Sequence, residues 1–566
     1  MTSEDLPEVP AVPPQNDTPK AYNRDWRFWA IIATLCVISI LASLENTVVT
    51  TSLPYIVTQL DLGENYVWVT NVFFLTSAAV QPLFGQLANI FGRRWVTMTI
   101  VALFTLGSGI CGGATNGAML IAGRAIQGMG SGGINMIVDV IISDLVPLRD
   151  RGNYMACVLT VYFVGTALGP WVGGIIVDSI SWRWVFYINL PVGGMSMVMI
   201  FLFLQVRYNK EMSLSKKLQR IDYIGNFLIV ASTVAILYAL TYGGALTPWS
   251  SWRIILPLVL GLFGLILFMV FETANFVKEP VVPPRLFGNR TSATVFFITL
   301  LNAILLYWVL FFLPVYFQAV LGSSPARAGV QLLPIIVIAV PAAIMAVLLL
   351  AKFGKYKPLH LFGFAVSTLG MGLFTLLDEH SSAAEWIIFQ IIAGGGGGFV
   401  LNTLLPACQA PLPESDQAAI TAAWSFIRSF GSIWGVAIPA AVFNNRFSQL
   451  VVNISDPQAR SIFGAGDAYQ FASSSFLQSF APDVREQVVR VYSESLKRVW
   501  QISIVFAGVA FLLVFLEKQI KLRTELETEF GLEEKKAEQM EDAEGSVGKD
   551  HQSCKTVIES DVQNSA

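Results

Sequence analysis

Residues Gly165–Gly174 read GTALGPWVGG. In a helix, the spacing of Gly165, Gly169, Gly173 and Gly174 brings them to one face. A face without side chains lets a neighbouring helix approach closely, which is how helices associate in lipid. Pro170, inside the run, removes one backbone donor and bends the helix. In water this segment makes a poor helix. In a bilayer every backbone group must pair internally, so the helix persists and its glycines become a packing surface.

Composition agrees. Of 566 residues, 54% are hydrophobic and 13% charged. Soluble domains carry about twice that charged share. Apolar stretches of about 20 residues, the length that crosses a bilayer, recur throughout. The net charge of −3 says little about partners, and the sequence has no basic block of the kind that binds nucleic acid, so no nucleic-acid partner is expected. Cys36, Cys111, Cys157 and Cys408 sit in apolar runs and Cys554 near the end; they form neither a disulfide framework nor a metal-type CxxC pair. There is no GxxxxGK[ST] loop for nucleotide. No cofactor or metal is expected. The partner that this composition implies is a lipid bilayer, and the expected state is a monomer.

The fold expected is an all-α polytopic membrane protein. Residues 1–25, acidic and Pro-rich, read as a disordered tail. Fourteen spans follow, near 28–50, 66–88, 95–113, 118–144, 154–177, 184–206, 223–242, 254–272, 293–317, 328–351, 358–377, 386–409, 419–443 and 499–517. Basic residues concentrate in alternate short loops: Arg93 and Arg94, Arg149 and Arg151, residues 207–220, 278–290 and 352–357. That asymmetry puts those loops, and both termini, in the cytoplasm. Residues 444–498 read as a long polar outer loop. It carries the sequon Asn453-Ile454-Ser455, the only one of three expected to be glycosylated; Asn16 and Asn289 fall on the cytoplasmic side. The tail from Glu517 reads as helical at first, then disordered.

The chain repeats at an offset of about 260 residues. Leu53-Pro54 parallels Leu313-Pro314, and Phe91-Gly92-Arg93-Arg94 parallels Phe353-Gly354-Lys355-Tyr356. Leu106-Gly107 parallels Leu369-Gly370, and Gln127–Gly133 parallels Ala393–Phe399. Parallel halves related about the membrane normal enclose a substrate site near the midplane. The expected units are residues 26–206 and 291–517, each a six-helix bundle. Residues 207–290 are a linker and an inserted helix pair, and 518–566 a cytoplasmic tail.

Several motifs carry a family resemblance. Leu44-Glu45-Asn46-Thr47-Val48-Val49 with Leu53-Pro54, Trp182-Arg183-Trp184 with Asn189-Leu190-Pro191, and Gly165–Gly174 resemble the fourteen-helix drug:proton antiporter family of the major facilitator superfamily. Gly85-Gln86-Leu87-Ala88-Asn89 with Gly92-Arg93-Arg94 resembles the superfamily's motif between spans 2 and 3. Arg124-Ala125-Ile126-Gln127-Gly128 resembles its span 4 motif. Tyr242-Gly243-Gly244, Leu313–Gln318 and Phe426–Gly431 look like the fungal toxin and multidrug branch. The resemblance implies proton-coupled efflux of a small organic compound across the plasma membrane, with the vacuolar membrane as the alternative. It also implies gating roles for Gly85, Asn89, Gly92, Arg93, Arg94 and the run Gly165, Gly169, Pro170, Gly173 and Gly174. Asn89 stands where the motif usually has an acid, which implies a weaker latch. Glu45 stands where it usually has Asp.

A charge inside a span costs about 3 kcal/mol by insertion scales, so it needs a partner or a task. Glu45 and Arg124 are such charges. Arg124, Gln127, Gly128, Ser131, Asn135 and Asp139 form one polar stripe at helical spacing. Glu45 is the candidate proton carrier, Arg124 its switchable partner, and Asp139 a further coupling or latch group. The competing reading is a fixed structural ion pair. Asp144, like Asp139 near the cytoplasmic end, reads as a latch acid or as a cap beside Arg149 and Arg151. Gln127, Asn135, Tyr307, Trp308 and Gln318 are candidate substrate contacts. Arg428 is a further intramembrane charge, open between packing and substrate contact. A proton-coupled importer of the same fold, such as a siderophore–iron transporter, and a non-transporting receptor are the alternatives. No nucleophile–base pair suggests an enzyme.

Overall fold

The structure is a computed structural model that describes residues 25–60, 62, 66–205, 214–243, 247–274, 280–413, 416–463, 471–472 and 474–523. Among these there is no β-strand. The first half comprises α1 (Trp26–Leu60), α2 (Tyr66–Ala79), α3 (Gln81–Phe91), α4 (Arg93–Gly112), α5 (Gly117–Leu145), α6 (Arg151–Ser179), α7 (Arg183–Tyr187) and α8 (Asn189–Phe203). A short α9 (Leu214–Leu218) leads to the pair α10 (Tyr223–Tyr242) and α11 (Trp252–Glu272). The second half comprises α12 (Arg290–Val315), α13 (Pro325–Gln331), α14 (Leu333–Phe353), α15 (Lys357–Phe374), α16 (Ala383–Leu401), α17 (Leu404–Gln409), α18 (Gln417–Leu450), α19 (Pro457–Phe463), α20 (Ser474–Leu477) and α21 (Pro482–Val514). Helix covers each of the fourteen expected segments, and eleven helical stretches among the described residues are long and apolar enough to cross a membrane.

The two halves repeat their packing. In the first, α1 packs on α6, α2 on α5, α4 on α5, α4 on α8 and α1 on α8. In the second, α12 packs on α18, α14 on α16, α15 on α16, α15 on α21 and α12 on α21. These are the same five pairings in the same chain order. The glycines of the repeat explain the fit. A Cβ on Gly107 would lie 2.6 Å from the Gln127 α-carbon, and one on Gly370 would lie 2.5 Å from the Ala393 α-carbon. At each place two helices touch backbone to backbone. Gly92 and Gly354 also correspond: both have positive φ, 84° and 64°, and both turn the chain between consecutive helices. L-residues rarely adopt that conformation.

Two expectations need correcting. Among the described residues, 444–498 is largely helical rather than loop. Helix α18 runs on to Leu450, and α21 starts at Pro482, well before residue 499. The charged stretch ahead of residue 499 hides an apolar stripe of Val488, Val491, Tyr492, Leu496 and Val499, all buried. That i, i+3, i+4 spacing makes it one face of a helix. Phe443, Phe447, Phe463 and Tyr492 pack there as rings 4.8–6.1 Å apart. The second correction is the tail: residues 517–523 are not helical. Their main-chain groups bond to Thr291, Tyr356 and Arg149 rather than to one another.

The halves meet at the end that carries the basic loops. Arg151 Nη1 donates to Gln409 Oε1 (2.9 Å) and Gln417 Oε1 (2.8 Å). Gln409 Nε2 donates to Ser143 Oγ (3.1 Å), and Gln81 Nε2 to Ser429 Oγ (3.0 Å). Gly85 abuts Ala422 so closely that no Cβ would fit. Arg149 donates to the carbonyls of Ala351 (2.5 Å) and Lys352 (3.0 Å). Among the described residues, no hydrogen bond joins the halves at the opposite end. The structure is therefore closed on the basic side.

A buried ion pair and its surroundings

Helix α1 carries Glu45 into the interior of the first half, where it is fully enclosed. Arg124 of α5 meets it there, 2% exposed. Arg124 Nη1 lies 2.5 Å from Glu45 Oε1 and also donates to Gln127 Oε1 (2.8 Å). Its Nε donates to the Val69 carbonyl of α2 (2.9 Å). Its guanidinium carbon lies 4.1 Å from the centre of the Phe73 ring. The second Glu45 oxygen accepts from Asn189 Nδ2 at the start of α8 (2.6 Å). Gln127 Nε2 then donates to Ser108 Oγ of α4 (2.7 Å). Five helices thus contribute to one polar network inside an apolar bundle. Arg124 Nε and Nη1, Asn189 Nδ2 and Gln127 Nε2 all find acceptors, the kind of pairing on which a buried charge pair is tolerated.

Glu45 and Arg124, paired on sequence grounds, are brought together. Asn189 completes the site although its motif drew notice only as a family signature; a lone amide in an apolar run was the available signal. Val69 and Phe73 act through a carbonyl and a ring, which no pattern announces. The α5 stripe divides. Arg124 and Gln127 turn into the first half, while Asp139 faces the second. Asp139 Oδ2 lies 4.0 Å from Arg428 Nη2 of α18, beyond hydrogen-bond length. Arg428 also sits 4.6 Å over the Trp424 ring. Asn135, one turn from Asp139, is half-buried.

The aromatic α12 residues separate likewise. Trp308 is fully enclosed against Phe506 of α21, 5.5 Å between ring centres, so it belongs to the second half's core. Tyr307 is half-buried and stacks on Phe311. Gln318 is half-buried in a π-helical turn, Tyr316–Val320, that follows Pro314.

At the basic end Arg93 Nε pairs with Asp144 Oδ2 at 2.7 Å, and its Nη1 donates to the Ala88 carbonyl and to Asn89 Oδ1 (2.9 Å). Asp144 is thus held by Arg93 of α4, a partner that neither of its two readings, latch acid and cap, names. Asn89 holds Arg93 within its own half and does not bridge the halves. Arg94 donates to the Phe201 carbonyl (2.6 Å). Gly165, Gly169 and Gly173 are buried in α6, and a Cβ on Gly165 would strike Ser43 Oγ of α1. For Pro170 and Gly174 only the helical backbone is described. Asn453 is exposed. Asn289 is exposed but spends its side chain capping α12, Oδ1 accepting from the Thr291 N–H at 2.9 Å. Asn16 lies outside the described residues.

Residues 35–436 match the sequence pattern of the Major Facilitator Superfamily. The chain is 54% identical to the MFS-type transporter TwmF of Talaromyces wortmannii over 529 residues, 93% of this chain and 96% of that one. It is 46% identical to the MFS efflux transporter aclA of Aspergillus oryzae, covering 94% and 96%. It is 44% identical to the efflux pump FUS6 of Gibberella moniliformis, covering 94% and 95%. A double-Trp variant of the transporter XylE shares the fold with a TM-score of 0.56 at 15% identity, over 88% of this chain and 97% of that one. The human organic anion transporter MFSD10 does so with a TM-score of 0.52 at 13% identity, over 86% and 99%.

Proposed function

Because this chain belongs to the Major Facilitator Superfamily and is a multi-pass membrane transporter, we propose that it exports a small organic compound in exchange for protons. The relatives named as efflux transporters support the direction. Support for proton coupling comes from one observation: Glu45, a carboxyl group with no exposure, shares its oxygens between Arg124 and Asn189. Proton binding to Glu45 cancels the charge that holds Arg124 there. Arg124 retains the Val69 carbonyl and Gln127 as acceptors, so it can stay housed while its partner is neutral. A pair with such a fallback suits a switch better than a pair with none.

In this reading the halves rock about a site between them. Asp139 and Arg428, loosely apposed, line the way, with Asn135, Tyr307 and Gln318 as candidate substrate contacts. The basic-end contacts of Gly85, Asn89, Gly92, Arg93 and Arg94 gate one side. The glycines of α6 keep α1 and α6 tight against proton leak. Fourteen crossings put the basic loops and both termini in the cytoplasm, in the plasma membrane, with the protein a monomer. One proton falling through about 100 mV and one pH unit supplies about 3.7 kcal/mol. That sustains a gradient of several hundred-fold for a neutral solute.

Flux into proteoliposomes under an imposed pH gradient tests the reading. The wild type should accumulate substrate only when the gradient is present. Glu45→Gln should insert normally and lose gradient-driven transport. Full active transport by that variant excludes Glu45 as the carrier.

A further inference from the structure

Past α21 the chain stays on the molecule. Residues 517–523 run without helix across the basic end, with Glu517 and Leu522 buried. The second half grips this segment. Lys357 Nζ donates to the carbonyls of Phe515 (3.0 Å) and Glu517 (2.6 Å). The Lys518 N–H donates to Thr291 Oγ1 (3.1 Å). The Tyr356 hydroxyl donates to the Lys518 carbonyl and accepts from the Ile520 N–H (3.1 Å). The Glu517 carboxyl is sealed in against His360 Nδ1 at 2.9 Å. Arg523 donates to the Leu412 carbonyl.

One bond then crosses to the first half: the Arg149 N–H donates to the Arg523 carbonyl (3.2 Å). The Arg149 side chain is already held by the Ala351 and Lys352 carbonyls at the end of α14. Arg149 is therefore clasped from two sides by the second half, by the end of one helix and by the chain beyond another. Two arginines approach here, and their mutual repulsion is offset by carbonyl oxygens aimed at both.

We infer that residues 517–523 form a strap whose end is a socket for Arg149, and that this socket helps set how readily the halves part on the basic side. The strap is bound to the second half at several points and to the first at one. When the halves separate, the strap stays with the second half and Arg149 leaves both of its holders together. Such a contact is made only in the basic-side-closed state, so it biases the population toward that state. The inference rests on the alternating-access reading of the previous subsection.

The test uses the full-length chain in membrane vesicles carrying Ser143→Cys. Ser143 is buried at the junction of the halves, bonded to Gln409, so thiol labelling there reports opening of the basic end. Maleimide labelling of that position is timed by peptide mass spectrometry. Arg523→Ala, which frees the strap's end from the Leu412 carbonyl, and Arg149→Ala, which releases the α14 carbonyls, should each label roughly three- to tenfold faster, the effect of losing one or two hydrogen bonds. Lys521→Ala, on the exposed side of the strap, should match the reference. If Arg523→Ala fails to reach the membrane, Arg523→Lys, which loses the forked donor, is read in the same way. Unchanged labelling in Arg523→Ala overturns the strap whatever Arg149→Ala does, since the Arg149 side chain bonds α14 and not the strap, as does equal acceleration by Lys521→Ala. Efflux is measured in parallel. Faster labelling without gradient-driven efflux in any form supports the strap and counts against the transport reading alone.

Discussion

Arg124 and Asn189 hold the same carboxyl group, but they do not matter equally. Removing Arg124 leaves Glu45 as an uncompensated charge in an apolar bundle, a change that costs about 3–5 kcal/mol. Removing Asn189 takes one amide donor from one oxygen, which costs about 1–3 kcal/mol. Arg124→Ala should therefore lower the melting temperature of the purified protein clearly more than Asn189→Ala. Pairing Arg124→Ala with Glu45→Gln should recover much of the loss, because the double variant buries no charge. A double-variant melt with no recovery would mean that the two side chains do not act as a pair. The sequence made Glu45 and Arg124 legible because a charge in an apolar span is conspicuous by its cost. It hid Asn189, whose amide is cheap enough to occur anywhere. It hid Val69 altogether, because a carbonyl has no letter. It left Asp144 open between latch acid and cap, since its partner Arg93 lies 51 residues back along the chain.

Among elements, contact between backbones is the recurring device. Gly165 leaves no room for a methyl group against Ser43, and Gly396 leaves none against Ser367, whose amide nitrogen would lie 2.4 Å from the added carbon, well inside van der Waals contact. Gly395 and Gly397, its neighbours on α16, face open space. Gly165→Val should force α1 and α6 apart, at about 1–3 kcal/mol for overpacking. Gly396→Ala should likewise destabilise, whereas Gly395→Ala should be neutral or slightly stabilising, since alanine is the better helix former. Thermal unfolding of the three variants in one detergent checks the order. The repeat was readable from its glycines because their positions are set by the neighbour they touch. The early start of α21 was not, because its charged residues mask a buried stripe when only mean hydropathy is weighed. The extended strap was also missed, since its side chains favour helix and tertiary hydrogen bonds override them.

For the molecule as a whole, the basic-end junction sets a buried charge against amide groups of the other half. Arg151 is fully enclosed and donates to the amide oxygens of Gln409 and Gln417 and to the Val146 carbonyl. Arg151→Ala would strand the Gln409 and Gln417 acceptors away from water. The variant should favour basic-side opening, seen as faster labelling of a thiol at Ser143. Equal labelling would show that Gly85, Ala422 and their neighbours carry the closure alone. The exposed Asn453 supports a glycan-shift assay: treatment with a glycosidase should shorten the apparent mass by one sugar chain, and Asn453→Gln should abolish that shift. A persistent shift in Asn453→Gln would point to Asn16 or Asn289 and reverse the assigned sidedness.

The pair α10–α11 has a foot on each side of the seam. Helix α10 rests on α2 through Trp68, Tyr238 and Tyr242, whose ring centres lie 4.7–6.2 Å apart, and it also leans on α18. Two bodies that pivot against each other cannot both stay fixed to a third. One footing must slide. The Asn226–Gln86 hydrogen bond (2.7 Å) ties α10 to α3, so slippage should fall on the α18 side. The added helices then work less as ballast than as a bearing, and what lubricates that bearing governs how fast the machine can turn over.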